Sequence, residues 1–128
     1  MDGRELDKAR TLLEEKRPLF PGNYLWKAMW ALLLAREGKR EEALQAMDEE
    51  TLKFLGTAFV VTLGAAEFCS LLGETSKAIE WLEKAVRNGD ERAEWFRKDP
   101  SLENIRQDPR FQRIIDSIEV RRKQRPGQ

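Results

Sequence analysis

The sequence predicts an all-α fold, a stack of antiparallel helical hairpins, and three observations support this prediction. Apolar residues recur at helical spacing over segments of three or four turns, and strand patterns are almost absent. Glycine and proline fall between these segments, where they punctuate helices rather than hairpins of strands. The 128 residues are enough for one domain with its own core.

The pattern predicts seven helical segments. They span residues 5–16, 23–37, 40–50, 58–72, 76–87 and 91–98, and a last helix opens at Asp108-Pro109. Pro18 and the pair Pro21-Gly22 end the first segment, and Asn23 is placed to cap the second. Residues 51–55 read as a weak turn. The run 59–61 alone resembles a strand, but the longer pattern around it favours a helix.

An internal repeat of 35 residues connects these segments. Gly38 and Gly73 are 35 residues apart, and so are the small residues Ala31 and Ala66. The same spacing relates three further pairs: Ala43 and Ala78, Met47 and Leu82, and Leu34 and Cys69. Small residues allow two helices to approach closely, and glycine supplies the positive φ of a tight turn. A hairpin of this kind buries one side only, so neighbouring hairpins must stack.

These features resemble the tetratricopeptide repeat family over about residues 4–90. The resemblance implies a right-handed stack with a half repeat at 5–22, repeats at 23–56 and 57–90, a C-terminal helical cap at 91–122 and a frayed tail at 123–128. The chain departs from the family pattern where Lys27 and Thr62 replace the opening tryptophan. Leu55 and Asp90 stand where the closing proline is expected.

The C-terminal segment resembles the end of many bacterial tetratricopeptide regions. Trp95, Asp99-Pro100, Leu102 and residues 106–111 carry this likeness. Such regions are commonly attached to serine/threonine kinases, adenylate cyclases or transcriptional regulators. The resemblance therefore implies the end of a larger signalling protein, or a stand-alone relative, in the cytoplasm.

Composition argues against several functional classes. The 23 basic and 23 acidic residues balance, whereas nucleic-acid and membrane-surface proteins usually carry a cationic excess. No histidine is present, so the commonest general base and metal ligand are missing. Cys69 has apolar neighbours and is interpreted as a buried thiol. No apolar run reaches the roughly 18 residues that span a bilayer. We expect a non-enzymatic protein without cofactor or metal.

Peptide binding is the function that the resemblance implies. The first helices of tetratricopeptide units line a concave groove. By that likeness the groove residues here are Leu25, Ala28, Leu32, Ala35, Arg36, Val60, Leu63, Glu67, Ser70 and Leu71. The family's clamp for chaperone tails needs lysine and asparagine where Ala28 and Leu32 stand, so the set favours an apolar or amphipathic protein ligand. Arg36 and Glu67 would orient it.

Three alternatives remain open at this level. The last helix, with Phe111, Ile114 and Ile115, could itself occupy the groove. A homodimer could form through the apolar face of the half repeat, which carries Leu6, Leu12 and Leu13. An enzyme would need a deep pocket around a buried Glu67, because the clustered carboxylates at 48–50 and the basic residues at 121–125 read as solvated ends of helices.

Overall fold

Helices account for all the regular secondary structure that a computed structural model describes, at residues 3–17 and 23–124. The α-helices there are α1 (Gly3–Lys16), α2 (Tyr24–Arg36), α3 (Arg40–Ala46), α4 (Glu49–Leu55), α5 (Phe59–Leu71), α6 (Thr75–Arg87), α7 (Ala93–Lys98) and α8 (Pro109–Lys123). A 3₁₀ helix, Pro100–Ile105, lies between α7 and α8. The all-α prediction is confirmed for these residues. The predicted stop signals at Pro18 and Pro21-Gly22, and the tail beyond residue 124, lie outside them.

The predicted ends of α2 and α5 are confirmed in detail. Asn23 Oδ1 accepts a hydrogen bond from the backbone N–H of Trp26 at 2.9 Å, which caps α2. Gly38 and Gly73 have φ of 79° and 77°, as the turn requires. A hydrogen bond of 3.0 Å from the Lys39 N–H to the Leu34 carbonyl closes a six-residue turn at Gly38. The equivalent bond at Gly73 runs from the Glu74 N–H to the Cys69 carbonyl at 2.9 Å.

The prediction of one helix over residues 40–50 is wrong. The chain breaks at Met47, and α4 begins after Asp48, so residues 51–55 form a helix rather than a weak turn. Asp48 Oδ1 accepts bonds from the N–H and the hydroxyl of Thr51, at 2.8 and 2.7 Å. Aspartate favours an N-cap over a helix interior for this reason. The hydroxyl of buried Thr62 then ties α5 to the last carbonyl of α4, Leu55 O, at 2.6 Å.

The small residues that define the repeat lie where helices meet. Ala31, Ala43, Ala66 and Ala78 are all fully buried, where α2 packs on α3 and α5 packs on α6. Helix α5 also packs on α2, so the two hairpins share one core. A larger side chain at any of these four positions would push two helices apart.

The C-terminal elements, residues 93–123, continue this core, and we call them the C-terminal unit. The 3₁₀ helix, where the sequence predicts only a stop, packs on α5. Helix α8 packs on α6 and α7 and buries Phe111, Ile114, Ile115 and Ile118. Lys123, predicted to fray, belongs to α8, and Arg121 of the same helix donates to the Val86 carbonyl at 2.9 Å. None of the described helices is long and apolar enough to cross a membrane.

Candidate binding groove

An apolar groove runs between α1 and α2, and we call it the α1–α2 groove. It comprises two adjoining cavities of about 350 Å³ and 230 Å³. Leu12, Leu25 and Met29 line it with 54%, 46% and 48% of their surfaces exposed. The other lining residues are Ala9, Leu13, Lys16, Asn23, Trp26, Leu32, Leu33 and Arg36. Large apolar side chains at half exposure, side by side, are typical of a surface that another protein covers.

Polar contacts hold α1 in the position that forms this groove. The Trp26 indole N–H donates to the Leu13 carbonyl at 2.9 Å. The Arg10 guanidinium lies 4.9 Å from the centre of the Trp30 ring and forms an ion pair with Glu37. Hydrogen bonding to Arg10 lowers the pKa of Glu37. Helix α1 buries only Leu13 among its described residues, so these contacts matter more than they would in a large core.

The equivalent face of α5 is covered by the chain itself. Arg36 Nη2 donates to Ser101 Oγ at 2.5 Å, and Asn104 Nδ2 donates to the Ser70 carbonyl at 2.9 Å. Both bonds join the 3₁₀ helix to the groove-side residues of α2 and α5. Ser101 and Leu102, next to each other in the 3₁₀ helix, are buried in this contact.

A cluster of ionisable groups lies beneath this cover. Burial and, after it, the neighbouring Asp99 raise the pKa of Glu67 to about 8, against the opposing effect of Arg36 and Arg92. Fully buried Asp90 forms an ion pair with Arg92 at 2.6 Å. Asp90 and Asp99 are buried in this cluster, whereas Glu67 is partly buried and the Arg92 side chain is 48% exposed.

Nine of the ten predicted groove residues fall into three groups. Leu25, Leu32 and Arg36 line the α1–α2 groove. Buried residues of the core form the second group, namely Ala28, Ala35 and Leu63. The third group lies on α5, where Ser70 is buried and Glu67 and Leu71 are partly buried. The side chain of Val60 lies outside the described residues.

Sequence reasoning did not assign four of these side chains to the groove or to its cover. Trp26 and Met29 line the groove from the side of α2 that the family pattern does not assign to it. Ser101 and Asn104 form the cover on α5. A signal for the cover was present, because Ser101 follows Ala66 by 35 residues and Asn104 follows Cys69 by the same interval. The repeat spacing therefore extends into the segment read as a cap.

The cysteine and the acidic side chains are the other candidate reactive groups among the described residues. Cys69 is buried, and burial raises its pKa to about 11, so the thiol stays protonated and is a poor nucleophile. Within residues 3–17 and 23–124, no three carboxylate or thiol side chains converge on a position that could hold a metal ion.

Comparisons with other proteins add no family to these observations. No protein-family model matches the chain, and neither does a curated protein or a solved structure. What the chain does must therefore be inferred from the groove and from the packing around it.

Proposed function

We propose that this chain is a tetratricopeptide-like repeat module that binds an amphipathic helical segment of another protein in the α1–α2 groove. The observation that carries the proposal is the apolar strip of Leu12, Leu25 and Met29, each about half exposed beside a cavity of about 350 Å³. A groove between two helices accepts a third helix through apolar residues at positions i, i+3 or i+4, and i+7.

The repeat architecture supports the family assignment. Residues 35 apart occupy equivalent places: the paired alanines are buried where helices meet, and Gly38 and Gly73 adopt the same left-handed conformation. The 3₁₀ helix packs on α5 as α5 packs on α2. We infer a right-handed stack of about two and a half repeats, closed by the C-terminal unit.

The charged residues that line the groove restrict which partner helices can bind there. Lys16 lines one cavity and Arg36 lines the other, while the other lining residues, apart from Asn23, are apolar. A helix with an apolar stripe and acidic residues at both ends fits this distribution, because each end then meets a cation. The proposed mechanism is burial of the stripe, with the charges setting orientation, and no chemical step.

The proposal is tested with synthetic helical peptides of about 15 residues that carry a leucine stripe. One set has acidic ends and a second set has basic ends. Binding is followed through the methyl NMR signals of Met29 and Leu12. We expect the acidic set to bind and Leu25→Gln to weaken it about tenfold, as a contact residue worth roughly 1.4 kcal/mol would.

Leu44→Gln is the matched control, since Leu44 is 47% exposed on α3 and lies outside the groove. It should bind the acidic peptides as the wild type does. Equal losses in the two variants, or no binding by any peptide, would contradict the proposal.

Self-association is the second candidate, favoured by Leu12, which projects half exposed from α1. A second copy that covered the same groove would form a symmetric dimer, as in a structural or regulatory domain of a larger bacterial signalling protein. Light scattering across a wide concentration range separates the two. If the wild type is a dimer that dissociates in Leu25→Gln and persists in Leu44→Gln, then a second copy of the chain occupies the groove.

A further inference from the structure

The carboxyl group of Asp99 is buried with one oxygen unsatisfied. The residue is 1% exposed, and its Oδ1 accepts the backbone N–H of Ser101 at 2.9 Å, which caps the 3₁₀ helix. No described group donates a hydrogen bond to Oδ2. A buried carboxylate oxygen without a donor is costly, and such atoms are rare in folded proteins.

The Asp99 carboxyl lies beside a second carboxyl group. Glu67, on α5, neighbours Asp99, and the contact with that side chain favours the protonated form of Glu67. Two neighbouring ionised carboxylates repel each other, and burial strengthens the repulsion. A single proton between them removes the repulsion and at the same time supplies the donor that Asp99 Oδ2 lacks.

The charged groups that act on Glu67 come from three places in the fold. Asp99 precedes the 3₁₀ helix, Arg36 ends α2, and Arg92 precedes α7. Both arginines favour the ionised form of Glu67, but each also serves another group. Arg92 is held by both oxygens of Asp90 at 2.8 and 2.6 Å, and Arg36 donates to Ser101.

We propose that Glu67 and Asp99 share one proton, carried by Glu67 and donated to Asp99 Oδ2, and that this bond fastens the 3₁₀ helix to α5. The bond crosses the contact between the second repeat and the C-terminal unit, beside the bonds from Arg36 to Ser101 and from Asn104 to Ser70. It differs from them because its donor can be titrated. Attachment of the C-terminal unit is therefore coupled to pH.

The direction of the pH effect follows from the two states of the chain. The pKa of Glu67 is raised to about 8 in the folded protein, from an ordinary value of 4.5. Between these values the folded chain holds one proton more than the unfolded chain. The stabilisation from the shared proton is complete below pH 4.5, falls as pH rises and is lost by about pH 8. The equilibrium constant for unfolding rises about tenfold per pH unit in this window on account of Glu67.

Glu67→Gln tests the proposal, because the amide donates to Asp99 Oδ2 at every pH. Urea unfolding of the full chain, measured between pH 5 and pH 7, should show the wild type losing stability relative to Glu67→Gln. The ratio of their unfolding constants should change about tenfold per pH unit. The variant should also be the more stable protein at pH 8. Glu80→Gln, at an exposed position of α6, is the control and should follow the wild type.

Asp99→Asn provides a second variant of the same pair. Its amide oxygen can still accept the Ser101 N–H, and its amide N–H can donate to an ionised Glu67. We expect this variant to lose part of the pH dependence, because burial still raises the pKa of Glu67 when the charge of Asp99 is gone. Carbon-13 NMR of the Glu67 carboxyl gives the direct measurement, with a titration midpoint near 8 in the wild type and a lower one in Asp99→Asn.

Two results would overturn the proposal. One is a Glu67 carboxyl that titrates near 4.5 in the wild type, and the other is a Glu67→Gln protein with the wild-type pH dependence. If the glutamine variant does not fold, the NMR midpoint of the wild type decides alone. Neither measurement involves the α1–α2 groove, so the result is independent of whether that groove binds a peptide.

Discussion

Equivalent faces of the two repeats differ in whether the chain covers them, and a few side chains account for the difference. Leu32 and Glu67 are 35 residues apart and occupy the same place in their units, as do Ala35 and Ser70. On α2 the face is part of an apolar groove, whereas on α5 it is closed by the 3₁₀ helix of the same chain. Of these two differences, glutamate in place of leucine is the one that makes a polar side-chain contact with the covering segment, because Asn104 bonds the backbone carbonyl of Ser70 and not its hydroxyl.

The two kinds of surface differ in how narrowly they specify a partner. Apolar contact is non-directional and accepts many shapes of similar size. Hydrogen bonds from Asn104 to Ser70 and from Arg36 to Ser101 require donors and acceptors at fixed distances, which fix one arrangement. A polar face is thus suited to holding the chain's own segment, and an apolar face is suited to exchangeable ligands.

The largest loss of stability is expected when a buried side chain in the cover of α5 is truncated. Leu102 is fully buried in the 3₁₀ helix, so Leu102→Ala should lower the free energy of unfolding by about 2–5 kcal/mol. Leu12→Ala, on the open groove, should change it by less than about 0.5 kcal/mol. Urea denaturation measures both. Similar losses in the two variants would mean that the open and closed faces do not differ in their contribution to folding.

The sequence predicts the helices and turns of the two repeats, but it does not predict the helix break at Met47 or the cover on α5. Periodicity and the 35-residue spacing identify α2, α5 and the two glycine turns, because these depend on local conformation and on small residues in contact. The break at Met47 was missed, since it needs the Asp48 side chain to bond Thr51 rather than remain in a helix. The cover on α5 was missed because the only signal for it is the 35-residue spacing of Ser101 and Asn104 from Ala66 and Cys69, and that spacing does not reveal the hydrogen bonds they make.

The turns offer a second way to test whether the difference lies in side chains. Gly38 and Gly73 have positive φ and open space around them, so alanine at either should cost about 1–2 kcal/mol through backbone strain alone. Gly38→Ala and Gly73→Ala should agree within about 0.5 kcal/mol, although the first lies in the repeat with the open face and the second in the repeat with the closed face. Thermal unfolding measures both.

Gly64→Ala is the matched control for these turns. Gly64 lies inside α5, and an added Cβ would meet the Leu55 side chain at an ordinary 3.9 Å. Alanine there should stabilise the protein by about 0.5–1 kcal/mol, because it restricts the unfolded chain. A destabilised Gly64→Ala, or a large difference between the two turn variants, would argue against equivalent repeats.

A smaller effect is expected on the open side, at the attachment of α1. Arg10 stacks on Trp30 and pairs with Glu37, so Arg10→Gln should weaken that attachment by roughly 1 kcal/mol. Backbone amides of α1 should then exchange with solvent about fivefold faster, while those of the C-terminal unit stay unchanged. Arg4→Gln is the control at an exposed position of α1. Equal acceleration in both variants would show that general charge, and not the Trp30 contact, holds α1.

The smallest effect is a loss of stability in acid at Asp108, and its pH dependence is opposite in sign to that of Glu67. Asp108 caps α8, and its hydrogen bonds to Arg110 lower its pKa to about 2, from an ordinary 3.8. The folded chain therefore binds this proton less readily than the unfolded chain does. The stabilisation is present above pH 3.8 and is lost as the pH falls towards 2.

Asp108→Asn keeps an oxygen for the cap but cannot titrate, so its unfolding midpoint in urea should vary less than that of the wild type between pH 4 and pH 2. Asp116→Asn, at an exposed position on the same helix, should retain the wild-type dependence. The C-terminal unit would then respond to pH at two of its carboxylate contacts. It loosens as the pH rises towards 8 where Asp99 meets Glu67, and it loosens in acid where Asp108 meets Arg110. A wild-type slope in Asp108→Asn would restrict the pH response to the Glu67 contact, and the C-terminal unit would then be sensitive only to its attachment to α5.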